Sequence, residues 1–316
     1  MRGLGVPAGV FLCAAALFGG TVCHGQQAVE EHRLLMLEAL RHQDVSQVRA
    51  LLKTPYVDPN GSYTDSRVAG GGPATFLSAA AGTGNPELVQ AFFDAGATVL
   101  AGTPPGSLSP LFLAARSRSA QVRHMLTEHA TEKESASPGE LRNFLNRRDP
   151  VTQNTVLVEC LAGSLPGGPA RTDYDCLTEF TGLVDPNLGD SEGHTPLWHA
   201  ARLNDERAVR ILIAGGANVD IRDKWGRTAL MDSLTSGGVY GVTPIYKLLI
   251  ENSRNLMLRD SCGLTAFDRL ESIPVEGMCR ERSALEDFAS APLRMFMLDH
   301  GAERRPLPHL YQCGRC

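Results

Sequence analysis

Three short stretches of the chain superimpose: "DSEGHTPL" from Asp190, "DKWGRTAL" from Asp223 and "DSCGLTAF" from Asp260. Each reads Asp-x-x-Gly-x-Thr-small-apolar. Thr195 and Thr228 stand 33 residues apart, and Thr228 and Thr265 stand 37 apart. Behind each copy lies one apolar pattern of helical spacing and then a second, as in "AVRILIAGGANVDIRD" (208–223) and "IYKLLIENSRNLMLRD" (245–260). A recurrence of this period makes each copy one supersecondary unit that cannot bury its apolar face alone. The fold must therefore be a stack. A stack also accommodates 316 residues, more than one compact core usually supports, without a second domain.

Local chemistry agrees. Thr195 suits the N-cap of a helix whose first position suits Pro196. Small Ala200 and Ala201 let neighbouring helices approach closely. Gly216 and Gly226 fit points where the backbone needs positive φ.

This pattern resembles the ankyrin repeat: a Gly-containing turn, Thr-Pro-Leu-His-x-Ala-Ala, a loop, then a second helix ending in Gly-Ala. Residues 190–222 match it through "TPLWHAA" and "ILIAGGANVD", with Trp198 in place of the usual His. The stretches from Thr75, Ser109, Asn154 and Asp175 continue the pattern. "LLMLEALRHQDVSQVRALLKTPYVDPN" from Leu34 reads as a first, capping unit, and "LRMFMLDHGAE" from Leu293 as the last helix of a seventh. The resemblance implies an all-α repeat solenoid over residues 30–303, with about seven helix–turn–helix units and short β-turn fingers. The units fall near 30–63, 72–100, 106–131, 152–187, 190–222, 223–258 and 260–302. "RVAGGGPA", "SLPGGPARTDYD", "SGGVYGVT" and "SIPVEGMCRER" read as loops inserted into or between units. Glu30, Glu31, Arg41 and Gln43 at the start, and Arg280, Glu281, Arg282 and Glu286 near the end, suit array ends that face water.

Arg2 followed by "VFLCAAALFGG" has the n-region and h-region of a secretory signal peptide, with cleavage expected after Gly25 (residues 1–25). No later run approaches the ~18 apolar residues that span a bilayer. The expectation is an exported chain, periplasmic or secreted. Of eight cysteines, Cys13 and Cys23 fall in the leader. Cys160, Cys176, Cys262, Cys279, Cys313 and Cys316 remain, an even set that favours disulfides in an oxidising compartment. Cys160 and Cys176 flank one inserted loop, and Cys262 and Cys279 bracket another. Sequence alone does not choose the connectivity.

Composition narrows the chemistry. A 43% hydrophobic, 21% charged chain is an ordinary folded protein, and 30 basic against 35 acidic residues without a dense basic patch argues against nucleic acid. Walker, H-E-x-x-H, EF-hand and G-x-S-x-G patterns are all missing, so neither an enzyme nor a cofactor is implied. The tail, residues 304–316, holds a C-x-x-C, Cys313 and Cys316, near His309, but lacks the strand–helix setting of a thiol-redox site. His194 and His199 stand beside Asp190 and raise a metal or acid–base reading. The two later copies of the motif lack these histidines, so His199 is expected to pack and His194 to face a partner.

Ankyrin-like proteins mostly bind partners through turn tips and inner helix faces. Carried onto this chain, that picks out Ser191, Glu192, His194, Trp198, Lys224, Trp225, Arg227, Ser261 and Leu264. The leading reading is a non-enzymatic scaffold that binds a protein outside the cytosol. The alternatives are a thiol-redox or zinc protein using the tail, and a structural accessory that stabilises or delivers an exported enzyme.

Overall fold

The computed structural model describes residues 20–64, 73–104, 106–162, 172–236, 243–271 and 284–303. Helices α1 (Gly20–His42) and α2 (Val45–Leu52) open the array, and a short antiparallel pair follows, β1 (Ser62–Thr64) with β2 (Pro73–Thr75). Then come α3 (Phe76–Thr83) with α4 (Pro86–Asp94), and α5 (Pro110–Ser117) with α6 (Ala120–Glu128). A π-helical turn (His129–Lys133) and α7 (Pro138–Leu145) precede α8 (Val156–Ala162) and α9 (Tyr174–Thr181). The array continues as α10 (Pro196–Arg202) with α11 (Glu206–Ala214), and α12 (Ala229–Ser236) with α13 (Pro244–Asn252). It ends on α14 (Ala266–Glu271) with α15 (Ala284–Asp299).

The two helices of a pair differ in burial because they occupy different layers. Helices α3, α5, α8, α10, α12 and α14 pack in succession, each touching the one before and the one after. They are therefore apolar on nearly every side: Phe76 to Ala81 in α3 and Pro110 to Ala115 in α5 are wholly buried. Helices α4 and α11 form part of the other layer and bury one stripe, Leu88, Val89, Ala91 and Phe92 in α4, and Ala208, Val209 and Leu212 in α11. Ala200 and Ala201 are buried between α10 and its neighbours, where a larger side chain would push the layers apart.

Many of the helices start where a side chain satisfies free N–H groups of the first turn. Thr75, Asn85, Thr195, Asp205 and Thr243 all accept a backbone hydrogen bond from the first helical turn, and Pro86, Pro196 and Pro244 occupy the first helical position. Gly216 and Gly226 have φ of +91° and +77°, the left-handed conformations that their places in the pattern demand.

Three features depart from the sequence reading. Pro73 and Ala74, expected in a loop, form part of β2; Pro73 opens the strand, where its missing N–H costs the ladder little. Helix α15 begins at Ala284 rather than Leu293 and runs through Pro292. Helix α7 was not anticipated, although "SPGE" carries the signature of a capping box. Ser137 Oγ accepts the Glu140 N–H, and the Glu140 carboxylate accepts the Ser137 N–H. The Ser137 N–H, and then the Ser137 hydroxyl, which also donates to the Glu140 carboxylate, hold that carboxyl below its usual range.

A buried disulfide and a buried arginine join α9 to its surroundings. Cys160 in α8 and Cys176 in α9 are disulfide-bonded, both fully buried, closing the inserted loop between the helices. Arg123 in α6, 1% exposed, donates from Nη1 to Asp173 (2.9 Å) and from Nε to Glu179 (3.0 Å), the residues that cap and line α9. Cys262 is half-buried at a turn, and Cys279, Cys313 and Cys316 lie outside the described residues.

Replacing Cys160 and Cys176 together by Ala frees a 16-residue separation in the unfolded chain. The expected loss is about 3 kcal/mol, read as a lower urea midpoint. Tyr246 in α13 is buried with its hydroxyl donating to the Ser233 carbonyl (3.2 Å), and burial pushes its pKa up to about 12. A raised folded pKa keeps its stabilisation below the unfolded value near ~10 and loses it as pH rises toward the folded one. Stability should therefore fall between pH ~10 and about 12, and Tyr246→Phe should flatten that part of the profile in alkaline melts.

Candidate functional site

The three copies of the Asp-x-x-Gly-x-Thr motif fold into three superimposable turns. In each, the aspartate N–H donates to the carbonyl four residues on: Asp190 to His194 (3.0 Å), Asp223 to Arg227 (2.9 Å) and Asp260 to Leu264 (2.9 Å). Oδ1 of the same aspartate accepts two backbone N–H groups, from Glu192 and His194, from Trp225 and Arg227, and from Cys262 and Leu264. The turns are also bonded tip to tip, Lys224 N–H to the Glu192 carbonyl (2.9 Å) and Ser261 N–H to the Trp225 carbonyl (2.8 Å). Gly193 shows why the motif needs glycine. Its φ is +83°, and a Cβ there would lie 3.1 Å from Asp223 Cα of the next turn.

What differs between turns is the group that meets the aspartate's second oxygen. Asp223 Oδ2 is held by Arg227 through Nε (3.0 Å) and Nη2 (2.9 Å), while Arg227 Nη1 reaches Asp232 (2.6 Å). Asp260 Oδ2 is held by Arg269, with Nε at 2.6 Å. Asp190 Oδ2 instead meets two imidazoles, His199 Nε2 at 3.2 Å and His194 Nδ1 at 3.4 Å. His194 Nε2 lies 3.7 Å from Asp223 Oδ2 and, though buried, has no hydrogen-bond partner. Burial pulls the His199 pKa below the usual imidazole range, against the opposing hydrogen bond and charge of Asp190. The sequence raises a metal or acid–base reading for His194 and His199 beside Asp190, and then assigns His199 to packing and His194 to a partner. The structure brings them together because the turn folds back on the first turn of α10, so positions four and nine after Asp190 meet at its carboxylate.

Beside this cluster runs an aromatic and cationic stack. His194 lies flat on Trp198, with centroids 3.7 Å apart, and Trp225 follows at 5.7 Å. Arg202 sits over Trp198 at 5.2 Å, and Lys224 and Arg227 sit over Trp225 at 4.3 and 4.7 Å. Lys224 also pairs with Glu192 of the preceding turn. Trp225 remains 40% exposed.

This geometry revises several expected contact residues. Trp198 and Leu264 are buried, at 6% and 2% exposure, so they support the turns from beneath instead of facing a partner. Arg227 is committed to Asp223 and Asp232, and His194 is covered by Trp198. Trp198 leaves the turn geometry intact, since the bond from Asp190 to His194 persists, but its Nε1 is buried without a partner. Ser191, Lys224, Trp225 and Ser261 are exposed, and Glu192 is half-buried at its tip.

Comparison with known proteins places this architecture. A family model described as ankyrin repeats in three copies matches residues 170–266. The ankyrin repeat domain of human ASB11 superimposes with a TM-score of 0.53 at 20% identity, over 85% of this chain and 99% of that one. Residues 170–266 match ankyrin repeats, and the chain as a whole has the ankyrin repeat fold. Other ankyrin repeat domains superimpose on it similarly. That of Bcl-3, of the IkappaB family, gives a TM-score of 0.54 at 20% identity, over 74% of this chain and 92% of its own. One from Acinetobacter baumannii gives 0.51 at 21% identity, over 72% and 98%. At such identities the likeness is one of fold. Ankyrin repeats generally mediate protein–protein interaction, and the fold is typically a non-enzymatic scaffold. Among the described residues no helix is long and apolar enough to cross a membrane.

The turn lattice predicts the consequence of removing its central carboxylate. Asp223→Ala leaves two turn N–H groups without an acceptor and the Arg227 guanidinium short of a partner, at a carboxylate whose side chain is 1% exposed. A loss of about 3–5 kcal/mol is expected in chemical unfolding. Asp223→Asn, which keeps Oδ1, should lose less.

Proposed function

We propose that this ankyrin repeat protein is a non-enzymatic scaffold that binds a protein partner outside the cytosol, through the turn tips of residues 190–231. The observation that carries this reading is Trp225. This large ring is 40% exposed at a turn tip, yet it is clamped by Lys224 and Arg227 in a turn bonded to its neighbours on both sides. Binding to a ring already ordered loses little conformational entropy, which is the property of an interface anchor. Glu192, Lys224, Ser191 and Ser261 supply polar groups around it, as a rim does around an interface centre. The location rests on the signal-peptide pattern of residues 1–25. A buried disulfide between Cys160 and Cys176 is the kind of bond that persists in oxidising compartments.

Capture of a partner from the exported fraction with the purified chain tests the reading. Trp225→Ala should weaken the captured complex by about 30-fold, the loss typical of an anchor residue, with thermal unfolding unchanged. A complex of equal affinity with a folded Trp225→Ala chain would sink the assignment. Leu203→Ala, on an exposed residue at the far end of α10, should leave affinity unaltered.

A further inference from the structure

Among the described residues, Asp190, His194 and His199 form the one group of three such side chains whose donor atoms all lie within 4.8 Å of one another. Two observations separate it from an ordinary hydrogen-bonded turn. First, Asp190 Oδ1 is already committed to the Glu192 and His194 N–H groups, which leaves Oδ2 as the atom on which both imidazoles converge. Their distances, 3.2 and 3.4 Å, are long for charge-assisted hydrogen bonds, which run about 2.7–2.9 Å. These two separations match the value of about 3.3 Å between neighbouring ligands of a tetrahedral zinc with bonds near ~2.0–2.1 Å, and the two imidazole nitrogens lie within 4.8 Å of each other. Second, the other ring nitrogen of His194 faces Asp223 Oδ2 at 3.7 Å. No hydrogen bond forms at that distance, but a carboxylate so placed is one toward which a ligating imidazole can turn its N–H, which would fix its tautomer.

The neighbouring turns make the contrast. At the positions of His194 and His199 the next copy has Arg227 and Asp232, and the third has Leu264 and Arg269. There the aspartate is neutralised by a guanidinium, which has no lone pair to offer a metal. Only the turn at Asp190 replaces a fixed cation with two imidazoles.

The geometry points to Asp190, His194 and His199 as a three-ligand site for a divalent cation of the zinc class, set into the turn beside Trp225. Two imidazole nitrogens and one carboxylate oxygen suit zinc and its neighbours rather than calcium or magnesium, which take oxygen ligands. Three protein ligands leave one coordination position for water or an incoming side chain. The cation would take the place that Arg227 and Arg269 fill in the later turns, neutralising the buried aspartate and joining turn to helix.

The test is zinc titration by calorimetry on the full chain carrying Cys313→Ser, Cys316→Ser and His309→Gln, which removes the competing tail. One zinc per chain is expected, with a rise in unfolding temperature that a chelator reverses. His194→Gln with His199→Gln should weaken binding about 100-fold or more. Absence of zinc binding, or equal binding by the folded double variant, overturns the site. Should the double variant fail to fold, ring-nitrogen NMR of the histidines in the parent chain decides. Zinc-dependent shifts at His194 and His199 support the site, and zinc binding that leaves both rings unmoved overturns it.

Discussion

A pair of helices of eight or nine residues has too little surface to bury on itself, and everything else in this protein follows from that constraint. The apolar faces of α5 or α10 are covered only because another unit lies on each side. Stability is then largely a sum of unit interfaces. The inner helices become apolar all round, the outer ones keep a single stripe, and the small residues Ala200 and Ala201 set how closely layers approach.

Stacking fixes the turns as well as the helices. Because adjacent units are in register, their turn tips meet and bond through backbone groups, and each aspartate carboxylate organises its own turn. A buried carboxylate in such a lattice requires a counter-charge. Arg227 supplies it in one turn and Arg269 in another, and in a third the imidazoles of His194 and His199 stand in that place. The first two are structural. The third leaves lone pairs and a carboxylate oxygen at one point, so one repeat position acquires chemistry that its copies lack.

The surface proposed for recognition comes from the same lattice. Trp225 is exposed because it sits at a tip, yet ordered because Lys224 and Arg227 flank it and the backbone on either side is bonded to neighbouring turns. Trp198, only one unit position away in the stack, is buried beneath His194. Two tryptophans in one short window thus have opposite roles, one as an anchor and one as a support.

The repeat period, the cap at Thr195, the positive-φ glycines and the placing of Cys160 and Cys176 on either side of an inserted loop were all legible in the sequence, because each depends on residues close along the chain. Helix α7 carries its own signature in its capping box, although it lies between two repeat units and outside their pattern. Other features depend on distances the sequence does not contain. Whether Trp198 and Leu264 face solvent, and whether Arg227 is a contact or a lock, depends on how the next unit lies over them. Spacing along one helix likewise says nothing about a turn folding back upon it. Only the tertiary structure therefore brought His194, His199 and Asp190 to one point, since their meeting depends on the turn's three-dimensional path and not on helical periodicity.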